Sequence, residues 1–169
     1  MKSIIELLVG RESEWEIEKF LFRNERKISN PKTGNLHSTI YFSSFFPIFG
    51  DSKLLDEIRE NLPIVLNPET YFFDVFGNYL VLRYEDKKVR WINNLLKLDV
   101  ERQKKEVWPN LEEDAVKILK RFSLNGDAQK YFQFNPHISF SKRFYGNLVE
   151  IPKFEEEIVL YAPSFKFKH

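Results

Sequence analysis

Residues 35–42 read NLHSTIYF and residues 135–144 read NPHISFSKRF. Each stretch holds a histidine, any residue, a hydroxyl residue and an apolar one: His37-Ser38-Thr39-Ile40 and His137-Ile138-Ser139-Phe140. β-Branched and aromatic residues run through both, and these favour a pleated strand. Successive side chains on a strand point to opposite faces. His37, Thr39, Tyr41 and Ser43 then share one face, with Ser38, Ile40 and Phe42 on the other. His137, Ser139 and Ser141 share a face in the same way, backed by Ile138 and Phe140. Such a chain must bury two apolar strand faces and leave two polar ones to solvent, to a cleft or to each other. Ser38 breaks the pattern, a polar residue on the core side.

The remaining segments supply the cover for those faces. Residues 4–9 form a short apolar run ending at Gly10 and read as a strand. Over residues 12–24 the alternation of Trp15, Ile17, Lys19 and Leu21 with charged or aromatic neighbours favours a strand, although Trp15, Lys19 and Phe22 also suit a helix. SNPKTGN, residues 29–35, is a loop that delivers the chain into the first tetrad. Residues 52–61 carry Leu54, Leu55 and Ile58 against charges on the other side, a helix capped by Asp51 or Ser52 and ended by Pro63. Runs at 70–76 and 79–84 flank Gly77-Asn78, a two-residue hairpin signal. Residues 86–105 place Val89, Ile92, Leu95, Leu96 and Val100 at helical steps. Beyond Pro109, residues 110–113 fit a capping box for a further helix striped with Leu111, Ala115, Ile118, Leu119 and Phe122. A last strand at 158–162 is interrupted by Pro163, and residues 165–168 alternate aromatic and Lys like a guarded edge. Strands, helix, hairpin, helices and strands in that order describe a mixed α+β single domain over residues 1–169.

Composition narrows the chemistry. The chain has no Cys, which excludes disulfides, thiolate catalysis and Cys-ligated metal. It has three histidines, the third being the terminal His169, too few for a His-rich metal site. A formal charge of +1 argues against a broad basic face for duplex DNA, but a local patch suffices for a small or single-stranded anion. No apolar run approaches a membrane span, and Glu6 interrupts the only apolar stretch near the start. The expectation is a soluble, cytoplasmic protein with no membrane partner. A net charge near zero is compatible with a monomer.

Two imidazoles facing one phosphate suit general acid–base catalysis, because an unperturbed pKa of about 6.5 lets one be neutral while the other is protonated. The neutral ring takes a proton from water or a ribose hydroxyl, and the protonated ring gives one to the leaving oxygen. Thr39 and Ser139, two positions on and on the same faces, can donate to the non-bridging oxygens. No metal or other cofactor is needed for this chemistry. Given the frequency of Ser and Thr in the chain, both interior histidines having one at this offset by chance is roughly a one-in-a-hundred event, so the pair is weighed as a motif.

On these residues the chain resembles the 2H phosphoesterase superfamily, which is marked by two H-x-[ST]-hydrophobic motifs on strands. Here those are HSTI at His37–Ile40 and HISF at His137–Phe140, 100 positions apart. The resemblance implies a bilobal α+β fold with pseudo-two-fold symmetry, in which two antiparallel sheets flank a central cleft with helices outside. It implies His37 and His137 as the catalytic pair and Thr39 and Ser139 as phosphate-binding residues. The implied activity is that of a metal-independent phosphodiesterase acting on an RNA end, an oligonucleotide or a cyclic nucleotide. Its bond would be a 2′,3′-cyclic phosphate, a 2′-5′ linkage or the ring of a cyclic oligonucleotide. The alternative is a non-catalytic RNA- or nucleotide-binding module on the same fold. Tyr41, Lys142, Arg143 and Tyr145 are candidate substrate contacts, able to stack a base or meet a second phosphate. The competing reading of the 142–145 turn is packing aromatics and solvated cations.

Overall fold

The computed structural model describes residues 2–43, 52–107 and 134–168. The helix expected after Pro109, the Asp51 cap and His169 lie outside them.

Among the described residues the strands and α-helices follow in chain order: β1 (Lys2–Val9), α1 (Arg11–Arg23), β2 (His37–Ser43), α2 (Ser52–Glu60), β3 (Ile64–Leu66), β4 (Tyr71–Phe76), β5 (Tyr79–Tyr84), α3 (Lys87–Val107), β6 (His137–Ser141) and β7 (Ile158–Lys168). The first tetrad opens β2 and the second opens β6. The β4–β5 hairpin turns at Gly77, whose φ of +56° is the left-handed conformation that a two-residue turn asks of glycine. Among the described residues no helix is long and apolar enough to cross a membrane.

Two expectations are corrected. The segment read as a strand over 12–24 is helix α1. Its buried residues are Ser13, Ile17 and Leu21, one helical turn apart, while Trp15 and Phe22 are exposed. The aromatics that suggested a two-sided strand therefore sit on the surface, and the four-residue step of the buried stripe decides the structure. Pro163 does not interrupt the last strand, and β7 pairs with β1 from Leu160 to Lys168, with Pro163 opposite Leu7. A proline is tolerated where its missing N–H faces an unpaired edge. On its other side β7 meets β3 only at Ile158–Leu160, which leaves that edge open beyond Leu160 among the described strands. β3 itself, three residues with alternating burial, had no signal strong enough to be read from sequence.

All the strand pairs are antiparallel, in the order β3-β7-β1-β2-β6-β5-β4. The two sheets expected from the sequence are the halves of one curled sheet, β3-β7-β1-β2 and β6-β5-β4. They join at a single pair, Ser38 opposite Ile138. Each tetrad thus contributes its second residue to the seam, and positions offset by 100 meet there.

Beneath the sheet, Ile5 and Leu7 of β1, Ile40 of β2, Leu80, Leu82 and Tyr84 of β5, and Ile138 and Phe140 of β6 are buried with Ile17 and Leu21 of α1 and Val89, Ile92 and Leu96 of α3. The buried Asn93 side chain of α3 donates to the Ile40 carbonyl at 2.7 Å, holding helix to strand. Ser38, which looked misplaced on the core face, is fully buried with its Oγ 2.7 Å from the equally buried Tyr84 hydroxyl. β6 lies between their strands, so this bond ties β2 to β5 under the seam. Tyr84→Phe leaves a buried hydroxyl without its partner and is expected to cost about 1–3 kcal/mol in urea unfolding. Adding Ser38→Ala is expected to cost less than the sum of the two single changes, and additive costs would show the bond to be unimportant.

Candidate active site

The seam arranges the tetrads. Continuing the antiparallel register by one residue each way from Ser38–Ile138 sets His37 across from Ser139 and Thr39 across from His137. All four lie on the face opposite Ser38 and Ile138. The two histidines are diagonal neighbours, a relation that spans roughly 7–8 Å across a ladder. That gap takes one tetrahedral phosphate between two imidazoles, with a hydroxyl on each side.

The neighbouring strands extend this into two rows across the sheet. One runs Phe72, Arg83, His137, Thr39, Glu6, Ser164, and the other Asp74, Val81, Ser139, His37, Leu8, Ala162. Arg83 thus stands directly across from His137, while Glu6, across from Thr39, lies diagonal to His37.

Both rings are oriented by the same device. His37 Nδ1 lies 2.8 Å from the Asn35 carbonyl, and His137 Nδ1 lies 2.8 Å from the Asn135 carbonyl. A carbonyl only accepts, so each Nδ1 carries the hydrogen and each Nε2 is the nitrogen left for chemistry. Asn35 reaches this geometry with φ +52°, a left-handed conformation that asparagine tolerates. The Asn two places before each His was visible in the sequence as a longer repeat, Asn-x-His-x-[Ser/Thr].

On the His137 side, Arg83 donates to Asp74 Oδ2 at 2.8 Å and to Asn135 Oδ1 at 3.3 Å, and its guanidinium lies over Phe72 and Phe76. Phe76 meets His137 edge to face at 4.9 Å between ring centres. Phe72 is 55% exposed, an open ring beside a fixed guanidinium. Burial lowers the His137 pKa, the Asn135 hydrogen bond opposes that, and Arg83 lowers it further.

The His37 side is more highly charged. Glu6, only 4% exposed, brings Oε1 to 3.1 Å from His37 Nε2, and its Oε2 lies 2.6 Å from Lys166 Nζ. The lysine holds that oxygen by charge rather than through a well-directed hydrogen bond. Lys32 arrives from the loop before β2, which is stitched to the end of β6. Lys32 N donates to the Phe140 carbonyl, and Lys142 N to that of Asn30. Burial lowers the Lys32 pKa, and Lys142 adds to it by repulsion. Burial also lowers His37; the Asn35 hydrogen bond and Glu6 oppose this, while Lys32 and Lys166 reinforce it.

Of the four substrate contacts expected from sequence, Lys142 stands in this cationic group. Arg143 and Tyr145 are exposed on a turn fastened to Ser29 and Asn30 rather than to either tetrad. Tyr41 does not share the face of His37. A bulge between Ile5 and Glu6 places it opposite the core residue Ile5, packed against the core and near Glu101 of α3. The bulge inserts one residue into β2 and so breaks the alternation beyond Thr39. Glu6, Lys32, Arg83, Phe72 and Phe76 were not picked out from sequence, because each sits in a run that reads as ordinary strand or loop. Among the described residues no group of three or more His, Cys, Asp or Glu side chains is placed to hold a metal ion.

No protein-family model and no curated protein matches this chain. Solved structures do. The chain is similar to E. coli LigT, a 2′-5′ RNA ligase and 2H phosphoesterase, complexed with 3′-AMP: TM-score 0.56 and 14% identity, over 97% of this chain and 84% of that one. LigT complexed with ATP gives TM-score 0.55 and 12% identity over 97% and 85% of the two chains. TT0787 of Thermus thermophilus gives 0.56 and 15% over 98% and 87%. At these identities the likeness shows the fold alone, the α+β fold of LigT and TT0787.

The depressed histidines predict how stability follows pH. With folded pKa values below the unfolded value near 6.5, the unfolded chain binds more protons as pH falls through that range. Their contribution to stability is therefore complete above the unfolded pKa and is lost as pH falls toward and through the folded ones. Melting temperature is expected to decline below about pH 6.5, and the decline should be shallower in a His37→Gln/His137→Gln variant. An identical slope in that variant would assign the loss to other groups.

Proposed function

We propose that this chain, on its 2H phosphoesterase fold, is a metal-independent phosphodiesterase acting on RNA ends or nucleotides. The observation that carries the reading is the register at the seam, which gathers His37, Thr39, His137 and Ser139 on one face with both Nδ1 atoms turned to backbone carbonyls. A phosphate on that face meets one Nε2 from each half and a hydroxyl beside each. One histidine removes a proton from water or from a ribose hydroxyl. The other protonates the departing ester oxygen. Thr39 and Ser139 donate to the non-bridging oxygens, where charge concentrates in the transition state.

The flanks suggest how a nucleotide lies. Phe72 and Phe76, with Arg83 over both rings, offer a base a stacking surface on the His137 side. Lys32, Lys142 and Lys166 offer anionic groups a place on the His37 side. Arg143 and Tyr145 are open to a longer oligonucleotide passing the turn. LigT has been crystallised with 3′-AMP and with ATP, which supports a nucleotide as the ligand class. Suitable substrates are 2′,3′-cyclic nucleotides, 2′-5′ oligoadenylates, tailed RNAs and cyclic dinucleotides.

A screen of those substrates should find cleavage that EDTA leaves intact. His37→Ala and His137→Ala are each expected to lower kcat by about 100-fold or more while substrate still binds. Wild-type turnover in either variant would sink the mechanism. Binding retained with no turnover in the wild type would favour the non-catalytic module. Phe72→Ala is expected to raise KM for base-bearing substrates with little effect on kcat, since a stacking contact is shared by ground and transition states. A KM unmoved by that change would remove the base from this side.

A further inference from the structure

Two equal histidines do not by themselves say which gives the proton and which takes it. The sheet makes them unequal. His37 Nε2, the nitrogen left for chemistry, faces the buried Glu6 carboxylate at 3.1 Å. With Nδ1–H committed to the Asn35 carbonyl, a second hydrogen on Nε2 makes the ring a cation, the form that the Glu6 charge 3.1 Å away favours. Among the described residues no carboxylate acts on the charge of His137. Its charged neighbour is Arg83, itself held by Asp74 behind it.

We infer that Glu6 is a positioning residue that keeps His37 the protonated member of the pair, so that His37 is the general acid and His137 the general base. This rests on the proposed phosphodiesterase reading and adds a direction to it. His137 Nε2 accepts the proton of the attacking water or hydroxyl. The new P–O bond forms as the opposite ester P–O bond breaks, and His37 Nε2–H passes its proton to the leaving oxygen. Glu6 then faces a neutral ring, and the cycle closes when His137 sheds its proton to solvent and His37 regains one.

Among the described residues the other charges around His37 are Lys32, from the loop ahead of β2, and Lys166, from β7. Both oppose its protonation. Lys142 and Glu14 act on Lys32 in turn. Lys166 has two effects: it anchors the Glu6 carboxylate at 2.6 Å, and it repels the imidazolium. Glu6 is the carboxylate that works against these cations at the reactive nitrogen, with a smaller effect than Lys32 and a larger one than Lys166.

The test starts from the protein without substrate, with the two imidazole titrations followed by NMR. Glu6→Gln keeps the shape and removes the charge. It is expected to lower the His37 midpoint by about one pH unit, leaving that of His137 in place. Lys166→Met is expected to raise the His37 midpoint. Glu6→Asp, which keeps the charge, should hold it nearer the wild type. In turnover of a 2′,3′-cyclic nucleotide, Glu6→Gln should move the alkaline limb of the kcat/KM profile down by the same interval and leave the acid limb unmoved. A folded Glu6→Gln protein with an unmoved His37 midpoint overturns the inference, as does movement of His137 or of the acid limb instead. If Glu6→Gln does not fold, the Lys166→Met and Glu6→Asp titrations decide by the same criterion. A lowered His37 midpoint with no turnover of any phosphodiester in the wild type would uphold the Glu6 contact and overturn the activity it was read to serve.

Discussion

The seam pair between Ser38 and Ile138 is the constraint on which the rest of the site depends. In a strand the side-chain period is two, so a slip of one residue exchanges the faces of every side chain. A slipped β2 would turn His37 and Thr39 into the core and present Ser38 and Ile40 to the cleft. One bridge is a thin joint to carry that choice, and the surroundings reinforce it. The Ser38–Tyr84 bond reaches past β6 to β5, and Asn93 holds the Ile40 carbonyl from α3. The loop ahead of β2 is sewn to the end of β6 through Lys32 and Lys142. A hydroxyl in the core costs free energy unless it is paired. That cost makes Ser38 useful here, because only the correct register gives it Tyr84.

A formal charge of +1 conceals how unevenly the charge lies. Lys32, Lys142 and Lys166 gather on the His37 side and Arg83 stands beside His137, with Glu6 and Asp74 as their partners. Burial pushes both imidazoles and the Lys32 ammonium toward their neutral forms. A phosphate brought to that face acts in the opposite sense, since a nearby anion favours every one of the charged forms. In the proposed reading, anion binding and proton uptake are then linked.

Much of this arrangement was legible in the residues, for particular reasons. The tetrads lie in strand-forming sequence, Gly77-Asn78 marks its hairpin, and the apolar steps of α3 from Val89 to Val100 are helical. What escaped notice had no local signature. α1 buries a stripe of only Ser13, Ile17 and Leu21, so its surface aromatics dominated the pattern. Pro163 breaks a strand only if its missing N–H is needed, and that depends on which edge is paired. Tyr41 changed faces because of a bulge set by pairing with β1, which no pattern within β2 records. Glu6 stood out only as a blemish in an apolar run. Its meaning lies in a contact with a residue 31 positions on, and sequence spacing says nothing about such a contact. The Asn-x-His repeat was present to be read, and it is the feature that orients both rings.

The chemistry asks for something that the repeat alone does not provide. A sequence in which positions 37 and 137 match makes two equivalent histidines, while a displacement at phosphorus moves protons in one direction. The inequality has to come from outside the repeat, and the flanking strands supply it. β1 brings Glu6 beside Thr39, within reach of His37, whereas β5 brings Arg83 beside His137. A carboxylate favours the imidazolium and a guanidinium disfavours it. The repeat is therefore flanked one strand out on either side by residues of opposite charge. In the proposed reaction that leaves the geometry at phosphorus symmetric while making the two histidines unequal.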